Sequence, residues 1–67
     1  MKRLVLMHPH WVGEARDRGR MLRPATPADI AAAGYEEYIK LLGEQIAIAA
    51  SYGADRAPHF YVEGEGE

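Results

Sequence analysis

Pro24-Ala25-Thr26-Pro27-Ala28-Asp29 is the stretch whose reading decides the fold. Thr26 is placed as an N-cap, its hydroxyl accepting from a free backbone N–H, and Pro27 follows at the first helical position, where a missing N–H costs nothing. Asp29 stands at capping-box spacing, with Asp in place of the usual Glu, and sets negative charge at the positive end of the helix dipole. A helix is therefore predicted to begin at Pro27. Downstream, Tyr35, Tyr38, Ile39, Leu42, Ile46 and Ala49 recur at intervals of three and four and form one apolar stripe, widened by Ile30, Leu41 and Ile48. Glu36, Glu37, Lys40 and Glu44 take the opposite face, Glu36 and Lys40 as an i,i+4 pair. Gly34 and Gly43 interrupt the pattern at a cost of about 1 kcal/mol each against alanine. One helix with a kink is the expectation, and a break at Gly34 into 27–33 and 35–51 is the alternative. Tyr52-Gly53 reads as the helix end, and 54–58 as the loop that follows.

Outward from this helix, Lys2-Arg3-Leu4-Val5-Leu6-Met7 has the length and composition of a strand, and Pro9 ends it near His8 or confines it to a sheet edge. Residues 12–19, rich in charge and glycine without countable periodicity, read as a loop or wide hairpin turn. Arg20-Met21-Leu22-Arg23 reads as a short returning strand stopped by Pro24, and His59-Phe60-Tyr61-Val62-Glu63 as a strand that pairs with the first. The predicted class is α+β: a two- or three-stranded, mostly antiparallel sheet packed against one long amphipathic helix. Residues 1–63 form one small domain in this reading, and 64–67 a mobile acidic tail. The expected core is Leu4, Leu6, Ile30, Tyr38, Ile39, Leu42, Ile46, Phe60 and Val62. A core of this size supplies only about 3 to 5 kcal/mol. A homodimer or a tight hetero-complex, formed through a sheet edge or a leftover helix face, is therefore expected.

The chain of 67 residues is 48% hydrophobic and 27% charged, which suits a single soluble globular unit and excludes a disordered one. It has no cysteine, so neither disulfides nor thiolate metal sites support the core. No apolar run reaches the roughly 18 residues of a membrane span, and the short apolar segment after Met1-Lys2-Arg3 does not make a signal peptide. The expected location is cytoplasmic. The net charge of −2 hides an asymmetry. Residues 1–25 carry six basic side chains against two acidic ones, and 26–67 carry two against eight. A two-sided field of this kind orients encounters with charged partners.

Among residues that bear chemistry, His8 and His10 stand at i and i+2, the spacing that points two imidazoles to one side of an extended chain, and His59 on a neighbouring strand offers a third ligand. The other reading of His8 and His10, with Trp11, is a polar and aromatic contact patch, and this is the one adopted. Thr26 is accounted for as a cap and Ser51 lies near a helix end, so no nucleophile with an adjacent base is present. Glu36 and Glu37 point about 100° apart on a helix and do not share a proton. Gly13 and Gly19 fit no phosphate-binding loop. Arg16, Arg18, Arg20 and Arg23 are dense enough to meet phosphates, but the pI of about 5.9 and the acidic helix face argue against a nucleic-acid reader. The glutamates on that face also argue against membrane binding.

The string Arg23-Pro24-Ala25-Thr26-Pro27-Ala28-Asp29-Ile30 resembles the first strand-to-helix junction of GCN5-related acetyltransferases, which often read R-x-A-T-x-x-D. The resemblance covers about eight residues, and helix capping alone accounts for the string. Such enzymes hold coenzyme A with a later loop of arginine or glutamine and glycines that this sequence does not contain. No activity, cofactor or site residue is carried over.

The function expected from these features is a small non-enzymatic protein–protein interaction module without a cofactor. In size and lack of motifs it is like adaptor subunits, and like phage or mobile-element inhibitors of host complexes such as anti-CRISPR proteins. The candidate contact residues are His8, His10, Trp11, Arg16, Arg18, Arg20 and Arg23, with Glu36, Glu37 and Glu44 available to a basic partner surface. A histidine-ligated metal protein and a phosphate-contacting nucleic-acid binder through residues 16–23 are the alternatives.

Overall fold

The computed structural model describes residues 2–64. Strand β1 (Lys2–Met7) leads into helix α1 (Pro9–Asp17), and strand β2 (Leu22–Pro24) into helices α2 (Pro27–Ala33) and α3 (Tyr35–Tyr52). A 3-10 turn (Ala54–Arg56) then delivers the chain to β3 (His59–Gly64). The sheet order is β1-β3-β2, antiparallel throughout. The expected α+β class, the antiparallel pairing of the first and last strands, and a long helix of 18 residues (α3) are all present.

Strand alternation divides the sheet side chains between two faces. Leu4 lies opposite Val62, and Leu6 opposite Phe60. This face meets α2 and α3, where the Tyr38 and Phe60 rings lie 5.4 Å apart between centroids. On the other face Tyr61, opposite Val5, packs with Leu22 of β2 and with Val12 and Ala15 of α1. Val5 and Met7 border that cluster.

Helix α1 corrects the expectation of a loop over 12–19. Pro9 starts it instead of merely stopping β1, because proline is as suited to the first helical turn here as Pro27 is in α2. The cap is His8, whose Nδ1 accepts from the His10 backbone N–H at 3.0 Å. Only Val12 and Ala15 are buried in this helix, a repeat too brief to stand out among the glycine and charges around it. The helical region after Pro27 takes the broken form rather than the kinked one. Gly34 has φ 97°, and its N–H reaches the carbonyl of Ile30 while its own carbonyl receives the N–H of Tyr38. One residue thus ends α2 and begins α3.

The expected core is also corrected. Leu4 and Val62 are buried, but Ile39 and Ile46 are 61% and 60% exposed. The stripe on α3 is wider than the surface available to cover it. Val12, Ala15, Leu22 and Tyr61 complete the buried hydrophobic core, Pro58 is buried beside β3, and no large side chain is fully buried among the described residues. Gly64, expected to begin a mobile tail, is the last residue of β3 and donates its N–H to the Met21 carbonyl at 3.0 Å. The rest of that tail, 65–67, lies outside the described residues.

Since Gly34 holds a positive φ that side-chain-bearing residues rarely adopt, Gly34→Ala is expected to destabilise the protein by about 1 kcal/mol or more. Thermal unfolding followed by circular dichroism checks this, and an unchanged midpoint would refute the assigned role of Gly34.

Candidate functional site

Three segments distant in sequence meet at one end of the molecule. His8, His10 and Trp11 come from the start of α1, Tyr52 from the end of α3, and Arg56 from the 3-10 turn; together they line an open cleft. Each is positioned by a local device. The His8 cap fixes the first turn of α1. There the His8 and His10 rings lie 6.3 Å apart, and the His10 and Trp11 rings meet edge to face at 6.0 Å. Gly53, at φ 106°, turns the chain out of α3, and the Arg56 N–H closes the next turn on its carbonyl at 3.0 Å. Trp11 remains 57% and Tyr52 68% exposed. Among the described residues the Arg56 guanidinium has neither an ion pair nor a side-chain hydrogen bond. The cleft offers two aromatic surfaces, two imidazoles and a cation with no partner among the described residues, a set suited to binding.

The four arginines of residues 16–23 do not form a free patch. Arg16 donates from Nε and Nη2 to the Leu22 carbonyl at 3.0 and 2.9 Å, tying the end of α1 to β2. Arg18 pairs with Glu14 one helical turn back. Arg20 grips Glu63 of β3 with two hydrogen bonds of 2.8 and 2.7 Å, and Arg3 of β1 approaches the same carboxylate at 3.3 Å. Arg23 holds Asp29 through bonds of 2.7 and 2.9 Å. Asp29 also accepts from the Thr26 backbone N–H, while the Thr26 hydroxyl accepts from the Asp29 N–H, so the capping box is closed. The string resembling an acetyltransferase junction is thus a strand-to-helix clasp in which each polar residue has a structural partner. Bidentate guanidinium–carboxylate pairing of this kind is geometrically specific.

These contacts set the acidities. Hydrogen bonding from Arg20, reinforced by its charge and by Arg3, lowers the Glu63 carboxyl from 4.5 to about 2. The Arg23 hydrogen bond, followed by the Thr26 backbone, holds Asp29 well below the usual carboxylate range.

His59 is not part of the cleft lining; it pairs with Met7 in the β1–β3 ladder. Among the described residues no group of three His, Cys, Asp or Glu side chains is placed to hold a metal ion. Glu36, Glu37 and Glu44 are exposed along α3, apart from the cleft. Of the residues that line the cleft, the sequence singles out His8, His10 and Trp11 but not Tyr52 or Arg56. Tyr52 was legible only as a helix end, and no local pattern connects either residue to α1.

A carboxylate with a depressed pKa in the folded state contributes stability above its unfolded pKa, and that contribution is lost as pH falls through the folded value. Stability is therefore expected to decline from about pH 4.5 toward about pH 2 as Glu63 is protonated. Glu63→Gln should lower stability at neutral pH and flatten the decline. Melting curves across that range check this, and a parallel loss in wild type and variant would refute the assignment.

The chain matches no family model, no curated protein and no solved structure.

Proposed function

We propose that the protein is a non-enzymatic interaction module whose cleft at the His8 end docks a partner protein. One observation carries this reading: Trp11, Tyr52 and Arg56 line one open cleft, the two rings largely exposed and the guanidinium without an ion pair among the described residues. Trp, Tyr and Arg are the residue types in which binding hot spots are enriched, because they combine a large apolar contact area with a polar handle. The two rings bring little additional entropy cost, having few rotatable bonds to immobilise. Arg56 with His8 and His10 makes the cleft complementary to an acidic side chain or a chain-terminal carboxylate flanked by apolar residues. Docking would act by occupying a partner surface, which is how an adaptor or an inhibitor of a host complex works without catalysis. A phosphate-contacting surface on residues 16–23 has less support, since Arg16, Arg20 and Arg23 are engaged with their own chain.

Affinity capture from a lysate of the native host, comparing wild type with Trp11→Ala/Tyr52→Ala and with Arg56→Glu, tests the proposal. The wild type is expected to retain a stoichiometric partner, and each variant to lose at least about tenfold in affinity while keeping a melting temperature close to that of wild type. Equal retention by wild type and both variants, or recovery of the bait alone at low salt, would refute docking at this cleft.

A further inference from the structure

A second apolar surface, separate from the cleft, runs along α3. Tyr35 is 80% exposed, Ile39 61% and Ile46 60%. Ile39 and Ile46, with the exposed Gly43 and Ala50, form two seven-residue series, 39-46 and 43-50, the repeat that keeps a helix seam facing another helix. Gly43 lies midway along this seam. Its φ is not positive, and a Cβ added there would meet nothing within 4 Å. Packing within the chain therefore does not require a glycine at a position where alanine would favour the helix. A helix crossing closely from outside would use one.

We propose that this face docks α3 of a second copy of the chain, antiparallel, about a two-fold axis beside Gly43. The seam is self-complementary in that arrangement, as a two-fold interface must be. Ile39 of each copy meets Ile46 of the other, Tyr35 lies over Ala50, and the two helices approach most closely beside Gly43. In an antiparallel pair like flanks of the two helices meet, so Lys40 of each copy faces Glu44 of the other. Opposite charges are then matched twice along the rim.

The area is sufficient. Tyr35, Ile39 and Ile46 leave on the order of 400 Å² per copy in water, taking about 200 Å² for a whole side chain of this size. Counted on both copies and extended by the exposed Gly43, Ala47 and Ala50, the surface on offer is of the order of the roughly 1,000 Å² required of a specific interface. The dimer uses none of the cleft residues, so it stands or falls independently of the function proposed above.

Sedimentation equilibrium on the full chain, combined with disulfide trapping, tests the proposal. The wild type is expected at twice the chain mass, in a concentration-dependent equilibrium. Ile39→Glu/Ile46→Glu and Gly43→Leu should each weaken association by at least about tenfold while circular dichroism shows the folded spectrum, and Trp11→Ala/Tyr52→Ala should dimerise as wild type does. Because the chain has no cysteine, Ile39→Cys mixed with Ile46→Cys should crosslink faster than either variant alone. Three results would overturn the proposal: a wild type that remains monomeric at every concentration, a dimer unaffected by both α3 variants (which would place the contact at a sheet edge or elsewhere), or preferential crosslinking of Ile39→Cys to itself.

Discussion

The rest of the structure depends on the central place of β3. His59–Gly64 is hydrogen-bonded to β1 on one edge and to β2 on the other, whereas β1 and β2 are not neighbours in the sheet. The ladder is extended past β2 by bonds from Gly64 to the Met21 carbonyl and from Ala25 to that of Phe60. Until the last strand arrives, neither of the earlier strands has a partner, and the helices on either side lack the surface against which they pack. Closing so long a loop must precede most of the favourable contacts. Val62 and Tyr61, adjacent in the same strand, serve opposite faces and are both buried. A short central strand thus supplies both hydrophobic clusters.

Electrostatics reinforces the arrangement at its edges. Glu63 lies between Arg3 and Arg20 and links β3 to β1 and to the segment entering β2. Arg16 joins α1 to β2, and Arg23 fastens β2 to the start of α2 through Asp29. Pairing consumes charge that would otherwise be offered to partners. The arginines of the first third of the chain stay exposed but are engaged with the chain's own carboxylates and carbonyl groups, whereas Arg56 in the cleft has no ion pair among the described residues. Exposed ion pairs contribute modestly one at a time. Here they fix the relative placement of elements that share only a small apolar contact.

That limited apolar contact explains the character of the surface. Helix α3 offers more apolar side chain than the sheet can cover, so Tyr38, Leu41, Leu42 and Ile48 turn at least partly inward while Tyr35, Ile39 and Ile46 stay in water. At the other end of the helix Tyr52 lines the same cleft as the capped start of α1. Both proposed contact surfaces are formed by side chains for which so small a chain has no interior. One is a cleft with a polar rim and a cation, the other a seam whose halves match each other.

The sequence by itself determined the elements whose signals are local. Thr26, Pro27 and Asp29 mark a helix start because a cap, a proline and a first-turn carboxylate act within one turn of each other. The runs 2–7 and 59–63 read as strands from their own composition. The presence of His8, His10 and Trp11 at one place was legible for the same reason. Only the tertiary structure decided what needs distant partners. It made Pro9 a helix start, through a His8 cap and the Tyr61 surface on which Val12 and Ala15 rest. It determined which half of the α3 stripe is covered, since periodicity gives a face but not the width of what packs on it. It paired Arg20 with a glutamate 43 residues away and brought Tyr52 and Arg56 to His8. Charge and aromaticity can be read residue by residue, but whether a side chain is free to meet a partner depends on neighbours that only folding brings within a few ångströms.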